Sequence, residues 1–198
     1  MKKRIRLSLL CGLICAVLLS MTQFDVLCED LRQNVLRLHI IANSDSEFDQ
    51  QLKLKVRDEI LSQTGEAFLN VNDLAKAEEI TTQNLEKFQK IAEDVIKQNG
   101  ANYKVDVSLG DSFFETRHYD TFSLPAGNYR SLIIKIGKAQ GKNWWCVVFP
   151  AMCIPAASNG DLRQSVGEDS AFVAENKDKY IIKFKTVEIY EKIKNYFS

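Results

Sequence analysis

The sequence has little of what metal sites and nucleic-acid surfaces need. It holds two histidines, His39 and His118, and its five cysteines form no Cys/His cluster at metal-ligand spacing. Three prolines in 198 residues, with no low-complexity tract or internal repeat, argue against a linker-rich or solenoid chain. Asp45, Glu47 and Asp49 alternate as acids do in a calcium loop, but no Gly follows at the sixth position and no acid at the twelfth, which excludes an EF-hand. Residues 137–142 (GKAQGK) lack the spacing and the following helix of a phosphate loop. No cofactor or metal is expected. The formal charge is zero, from 26 basic and 26 acidic residues, yet the first 22 residues carry four of the basic ones and no acid. The remainder, with 22 basic against 26 acidic residues, is net −4, a poor surface for nucleic acid phosphates.

What the N-terminus does have is a basic start, Lys2, Lys3, Arg4 and Arg6, followed by an uncharged apolar run from Leu7 to Met21. A basic start and an apolar run of about 7–15 residues mark a secretory signal, whereas a membrane-spanning helix needs roughly 17–25 residues. Residues 1–22 are therefore expected to act as a signal peptide or signal anchor, with membrane contact through that segment before any cleavage. Residues 30–198 are expected to form a single exported domain. The residues before Cys11, Cys15 and Cys28 are Leu10, Ile14 and Leu27, too large for a lipobox.

The domain opens with NVLRLHIIANSDS. Leu36, Leu38, Ile40 and Ala42 would face one side of a strand; Val35, Arg37, His39 and Ile41 would face the other. Ser46 and Asp49 sit at capping-box spacing before a helix over 47–62, whose Phe48, Leu52, Val56 and Ile60 recur every four residues. A second, longer helix is predicted from about 72 to 98, stopped by Asn99-Gly100. The period then changes to two. Strands are predicted near 103–109, 113–121, 129–137 and 142–149, with 138–141 as a hairpin connection. Residues 156–178 are polar and carry Gly, Ser and Asn. KYIIKFK (179–185) reads as a last strand, and TVEIYEKIKNYF (186–197) as a closing helix capped by Thr186. The fold class is α+β, a largely antiparallel sheet packed by two N-terminal helices, with a C-terminal strand and helix.

GKNWWCVVFPAMC (141–153) joins two tryptophans, two cysteines and a proline. In an oxidising compartment Cys146 and Cys153 are candidates for a disulfide. Fully extended, their seven-residue separation spans roughly 23 Å, and a bridge needs Cα atoms within about 7 Å, so the chain must reverse, with Pro150-Ala151 the obvious place. The alternative makes Cys146 a nucleophile with His39 or His118 as its base, or uses a His118/Asp120 face for a secreted hydrolase. Trp144 and Trp145 point to opposite faces of their strand, one in the core and the other as cover or as a partner anchor.

Two long stretches, VLRLHIIANSDSEFDQQLKLKVRDEIL (35–61) and LPAGNYRSLIIKIGKAQGKNWWCVVFPAMC (124–153), resemble stage II sporulation protein R of endospore-forming bacteria. The resemblance implies a forespore protein exported toward the space between forespore and mother cell. There it would activate a membrane-embedded aspartic protease of the mother cell, triggering processing of the precursor of the early mother-cell sigma factor. It implies a signal rather than an enzyme. The expected partner surface is the strand-to-helix corner at Asn43, Ser44, Asp45 and Asp49, beside Arg37 and His39, with Trp144 or Trp145 as an apolar anchor. The plainer reading of the corner is a helix cap.

Overall fold

The computed structural model describes residues 2–68, 71–119, 121–152 and 162–197. Helix α1 (Lys2–Gln33) leads into strand β1 (Leu36–Ile41), then helices α2 (Glu47–Thr64), α3 (Leu74–Gln83) and α4 (Leu85–Gln98). Strands β2 (Val105–Phe114), β3 (Arg117–His118), β4 (Ser123–Leu124), β5 (Gly127–Ile136) and β6 (Asn143–Phe149) follow, and helices α5 (Glu168–Glu175) and α6 (Lys177–Phe197) close the chain. The α+β class holds. The main sheet runs β2-β5-β1-β6, with β3 and β4 forming a separate two-stranded ladder.

β1 is central because both its edges are paired. It lies parallel to β5 (Leu38 opposite Leu132) and antiparallel to β6 (Leu38 opposite Cys146). Alternation puts Leu36, Leu38 and Ile40, all fully buried, on the face covered by α2 and α4, against Leu52, Val56, Ile60, Phe88 and Ala92. Each such side chain contributes about 1.5–3 kcal/mol on burial. α2 begins as its sequence predicts, with Ser46 Oγ accepting from the Asp49 backbone N–H at 3.2 Å. Phe48, in the first turn of that helix, is nonetheless exposed.

The parallel pair changes the meaning of residues 137–142. β5 and β6 are antiparallel to each other but separated by β1, so the expected hairpin is instead a crossover. It passes over the C-terminal end of β1, with Gly141 N donating to Ala42 O at 2.9 Å and Gln140 N to Asn43 O at 3.3 Å. The approach is so close that a side chain at Gly141 would collide with the Ser44 backbone.

Other sequence expectations need correction. The second helix is two, α3 and α4, meeting at Asn84, whose side chain donates to Ile80 O at 2.8 Å. The strand expected over 113–121 is the end of β2 and then the short β3, which pairs only with β4. The stretch 156–178 contains α5. KYIIKFK is not a strand: it lies inside α6, and Thr186 is not a cap but a mid-helix residue donating to Ile182 O at 2.9 Å. The reason is tertiary. Tyr180, Phe184 and Val187 lie one helical face apart and pack on Phe24 and Cys28 of α1, with Phe24 edge-on to Phe184 at 5.3 Å.

The second face of the sheet is therefore covered too. Leu31 and Val35 from the α1 end, Phe122 and Leu124 from the β3–β4 ladder, and Ala171 and Ala174 from α5 pack over Tyr129 and Val147. Packing of α1 begins at Ser20 and Met21, earlier than the expected domain start at 30, while Leu7, Leu9, Leu10 and Leu13 stand exposed. Among the described residues no helix is long and apolar enough to cross a membrane.

Candidate functional site

The strand-to-helix corner is built by hydrogen bonds from its own side chains. Asp49, buried at the start of α2, accepts from Asn43 Nδ2 at 2.8 Å and Ser44 Oγ at 2.5 Å. Asn43 Oδ1 accepts from Lys138 N at 3.0 Å, and Asp45 Oδ1 from Lys142 N at 2.7 Å. Lys53, also buried, donates to Lys142 O at 2.9 Å and Gln50 Oε1 at 2.7 Å. Burial pushes the Asp49 carboxyl up, but hydrogen bonds from Ser44, Asn43, Tyr103 and Ser46 outweigh it and hold the group below the usual carboxylate range. Asn43, Ser44, Asp45 and Asp49 together clamp the crossover onto the end of β1. This network gives each of the four residues a role within the fold, with Asp49 Oδ1 buried and lacking a hydrogen-bond partner among the described residues.

Arg37 and His39 were expected to face outward. Arg37 has no exposed surface at all. Its guanidinium lies 3.8 Å from the Phe114 ring centroid and 4.8 Å from that of Tyr129, and Nη2 donates to Tyr119 Oη at 2.7 Å. Burial depresses its pKa, against the pull of Tyr119 and Tyr129. The polar side of β1 is covered because α1, the β3–β4 ladder and α5 lie over it, elements the β1 sequence cannot report. His39 is half-buried, with its ring nitrogens 3.3 Å from Ser112 Oγ and 3.0 Å from Asn143 Oδ1. Burial holds its imidazole below the ordinary value, favouring the neutral ring.

Trp144 and Trp145 do face opposite sides. Trp144 packs on the helix-covered core with Arg57 4.3 Å from its ring centroid; Trp145 joins the other cluster with Arg117 3.8 Å from its ring. Arg117, His118, Tyr119, Asn143, Trp144, Trp145 and Cys146 line a surface groove. Thus the structure brings Arg37, His39 and Trp145 together with Phe114, Arg117 and Tyr119, and leaves the corner apart as a structural clamp. Arg117 and Tyr119 were missed, although the interleaved aromatic and basic residues of FFETRHY (113–119) carried a signal for them.

Cys146 is buried opposite Leu38 on the helix-covered face, whereas His39 pairs with Trp145 on the other. Strand alternation therefore separates Cys146 from His39. His118 is exposed, with Nδ1 2.7 Å from Ser123 Oγ. Cys153 and Asp120 lie outside the described residues. Among the described residues no group of His, Cys, Asp and Glu is placed to hold a metal ion.

The fold is thus an α+β domain whose four-stranded, mostly antiparallel sheet carries an aromatic and guanidinium groove beside its second face. Residues 32–159 match the stage II sporulation protein R family. The chain is 32% identical over 158 residues to stage II sporulation protein R of Bacillus subtilis (strain 168), covering 80% of this chain and 66% of that protein. The chain thus spans just under two thirds of that relative's length. No solved structure matches it. The chain belongs to the stage II sporulation protein R family, a family of sporulation proteins.

Proposed function

We propose that this protein is an exported forespore signal that activates a membrane-embedded aspartic protease of the mother cell, and so triggers processing of the precursor of the early mother-cell sigma factor. The observation that carries this reading is the family match over 32–159. The N-terminal segment supports export: a basic start followed by an apolar run in which Leu7, Leu9, Leu10, Leu13 and Leu19 stand exposed. The proposed location is the space between the two membranes, with the N-terminal segment as targeting signal or anchor. The competing reading, a hydrolase built on Cys146, draws no support from a sulfur buried among the core side chains of β1 and α4.

The test is reconstitution. The exported chain is expressed beside the candidate protease and its precursor substrate, and precursor cleavage is followed on gels. Cleavage that requires both this chain and an intact protease aspartate supports the reading. Cleavage by this chain alone, or none with both partners present and exported, overturns it.

A further inference from the structure

The second face of the sheet holds more buried hydrogen-bond donors than the described residues satisfy. Arg37 Nε and Nη1, Arg117 Nε and Trp145 Nε1 are all buried and have no hydrogen-bond partner. Buried polar groups are nearly always paired, so a local excess of donors calls for an acceptor. These donors are neighbours. Arg37 lies over Phe114, whose ring is 5.7 Å from that of Trp145, and Arg117 lies over the same Trp145 ring at 3.8 Å. The two guanidinium groups are close enough for Arg117 to disfavour the charge on Arg37. Among the described residues neither forms an ion pair with a carboxylate. Two like charges, held together in a part-buried aromatic setting with free donors, are an arrangement that an anion relieves.

The donors connect to the surface. Arg117 and Trp145 line the groove directly. Arg37 lies behind it but holds Tyr119, a groove residue, through the 2.7 Å hydrogen bond to its hydroxyl. That hydroxyl, accepting from Arg37, keeps its own proton to donate. Tyr119 is further held by stacking on Phe122 at 4.5 Å and by Lys177 Nζ donating to its carbonyl at 2.6 Å. The groove thus offers the Arg117 side chain and the part-buried Tyr119 hydroxyl, with the buried Trp145 N–H behind them and aromatic walls suited to a peptide.

We infer that this groove binds a peptide carboxylate, from an acidic side chain or a chain terminus, with Arg117 as the direct contact and Arg37 as a positioning group acting through Tyr119. The inference supplies the ligand chemistry of the partner contact in the function proposed above. Its test uses the purified chain and synthetic peptides, so it can fail while protease activation stands, and the reverse.

Trp144 and Trp145 are the only tryptophans in the chain, so intrinsic emission reports on the groove. The full chain is titrated at fixed ionic strength with three probes: acetyl-Gly-Gly-Asp-Gly-Gly-amide, acetyl-Gly-Gly-Gly-Gly-Gly with a free terminus, and acetyl-Gly-Gly-Asn-Gly-Gly-amide. A saturable change is expected with the first or the second, which identifies the source of the carboxylate, and none with the third. Arg117→Gln should weaken binding by roughly tenfold or more, the loss of a charge-assisted contact. Tyr119→Phe keeps the ring stacking but takes the acceptor from Arg37 Nη2, so it should melt somewhat lower while still folding, and should weaken binding about threefold to tenfold. The inference is overturned if no carboxylate probe saturates, if the Asn peptide binds as well, or if Arg117→Gln binds like the parent chain. Normal binding by a folded Tyr119→Phe variant removes Arg37 from the site.

Discussion

Arg32 of α1 lies directly across Gly127 at the start of β5. Its Nη1 donates to Ala126 O at 3.0 Å, and its Cδ occupies the space a side chain at 127 would need. Gly127 also has φ 146°, a conformation that other residues adopt only under strain. The remaining nitrogens of Arg32 hold Glu29 at 2.9 Å and Asp25 at 3.2 Å. One side chain thus ties the end of α1 to the central sheet. Gly127→Ala should cost about 1–3 kcal/mol, seen as a lowered midpoint in thermal melts. A midpoint equal to that of the parent would mean that Arg32 moves aside freely.

The same attachment sets where the chain can be shortened. The described side chains from Arg4 to Leu19 are exposed and Ser20 and Met21 half-buried, whereas Phe24, Cys28 and Leu31 are buried. A chain lacking residues 1–22 should melt within about 3 °C of the full chain, a shift corresponding to roughly 1 kcal/mol. Removing residues 1–29 also takes Phe24 and Cys28 from their packing on Phe184 and Val187, and should cost at least the roughly 3–5 kcal/mol of a buried Phe→Ala change. Equal stability of the two truncations would show that α1 is only an appendage.

Leu38 sits at the centre of β1 with its side chain fully buried between the sheet and α2. Leu38→Ala should cost about 2–5 kcal/mol. Denaturant melts measure it, and an unchanged midpoint would contradict the packing.

The corner clamp predicts a pH dependence with a definite sign. The folded Asp49 carboxyl is held below its ordinary value, so the unfolded chain binds its proton more readily. The contribution to stability is complete above about pH 4, the ordinary carboxylate value, and fades as the pH falls further through the folded value. Asp49→Asn should melt lower at pH 7 and show less acid sensitivity. Asn43→Ala, which breaks the bonds to Asp49 and Lys138 N, should cost about 1–3 kcal/mol. If Asp49→Asn titrates in parallel with the parent, the acid sensitivity originates elsewhere.

Cys28 is buried as a free thiol, and burial pushes its pKa up to about 12. It should resist iodoacetamide in the native protein and react after unfolding. A bridge between Cys146 and Cys153 remains our proposal. The chain does turn at Pro150, where Met152 N donates to Pro150 O at 2.6 Å. Unreduced peptide mapping of exported protein should recover the two cysteines on one crosslinked species. Replacing either alone should cost about as much as replacing both, roughly 2–3 kcal/mol for a short closed loop. Free thiols at both positions would rule the bridge out.

The sequence determined those features that one element can encode by itself. The alternation of 35–42 identifies the helix-covered face of β1, Ser46 and Asp49 start α2, and Leu52, Val56 and Ile60 mark its buried stripe, all as found. The tertiary structure alone decided what covers the other face. Arg37 reads as outward in a local pattern, yet Phe114 of β2, Tyr129 of β5 and Tyr119 enclose it. Lys138 to Gly141 has the composition of a hairpin turn, and only the insertion of β1 between β5 and β6 makes it a crossover that needs Asn43 and Asp45 to hold it. KYIIKFK alternates like a strand, but a face at helical spacing finds Phe24 and Cys28 waiting on α1. Periodicity reports which side of a segment is apolar. Which segment covers that side is settled by contacts between residues far apart in the chain, where burial outweighs local preference.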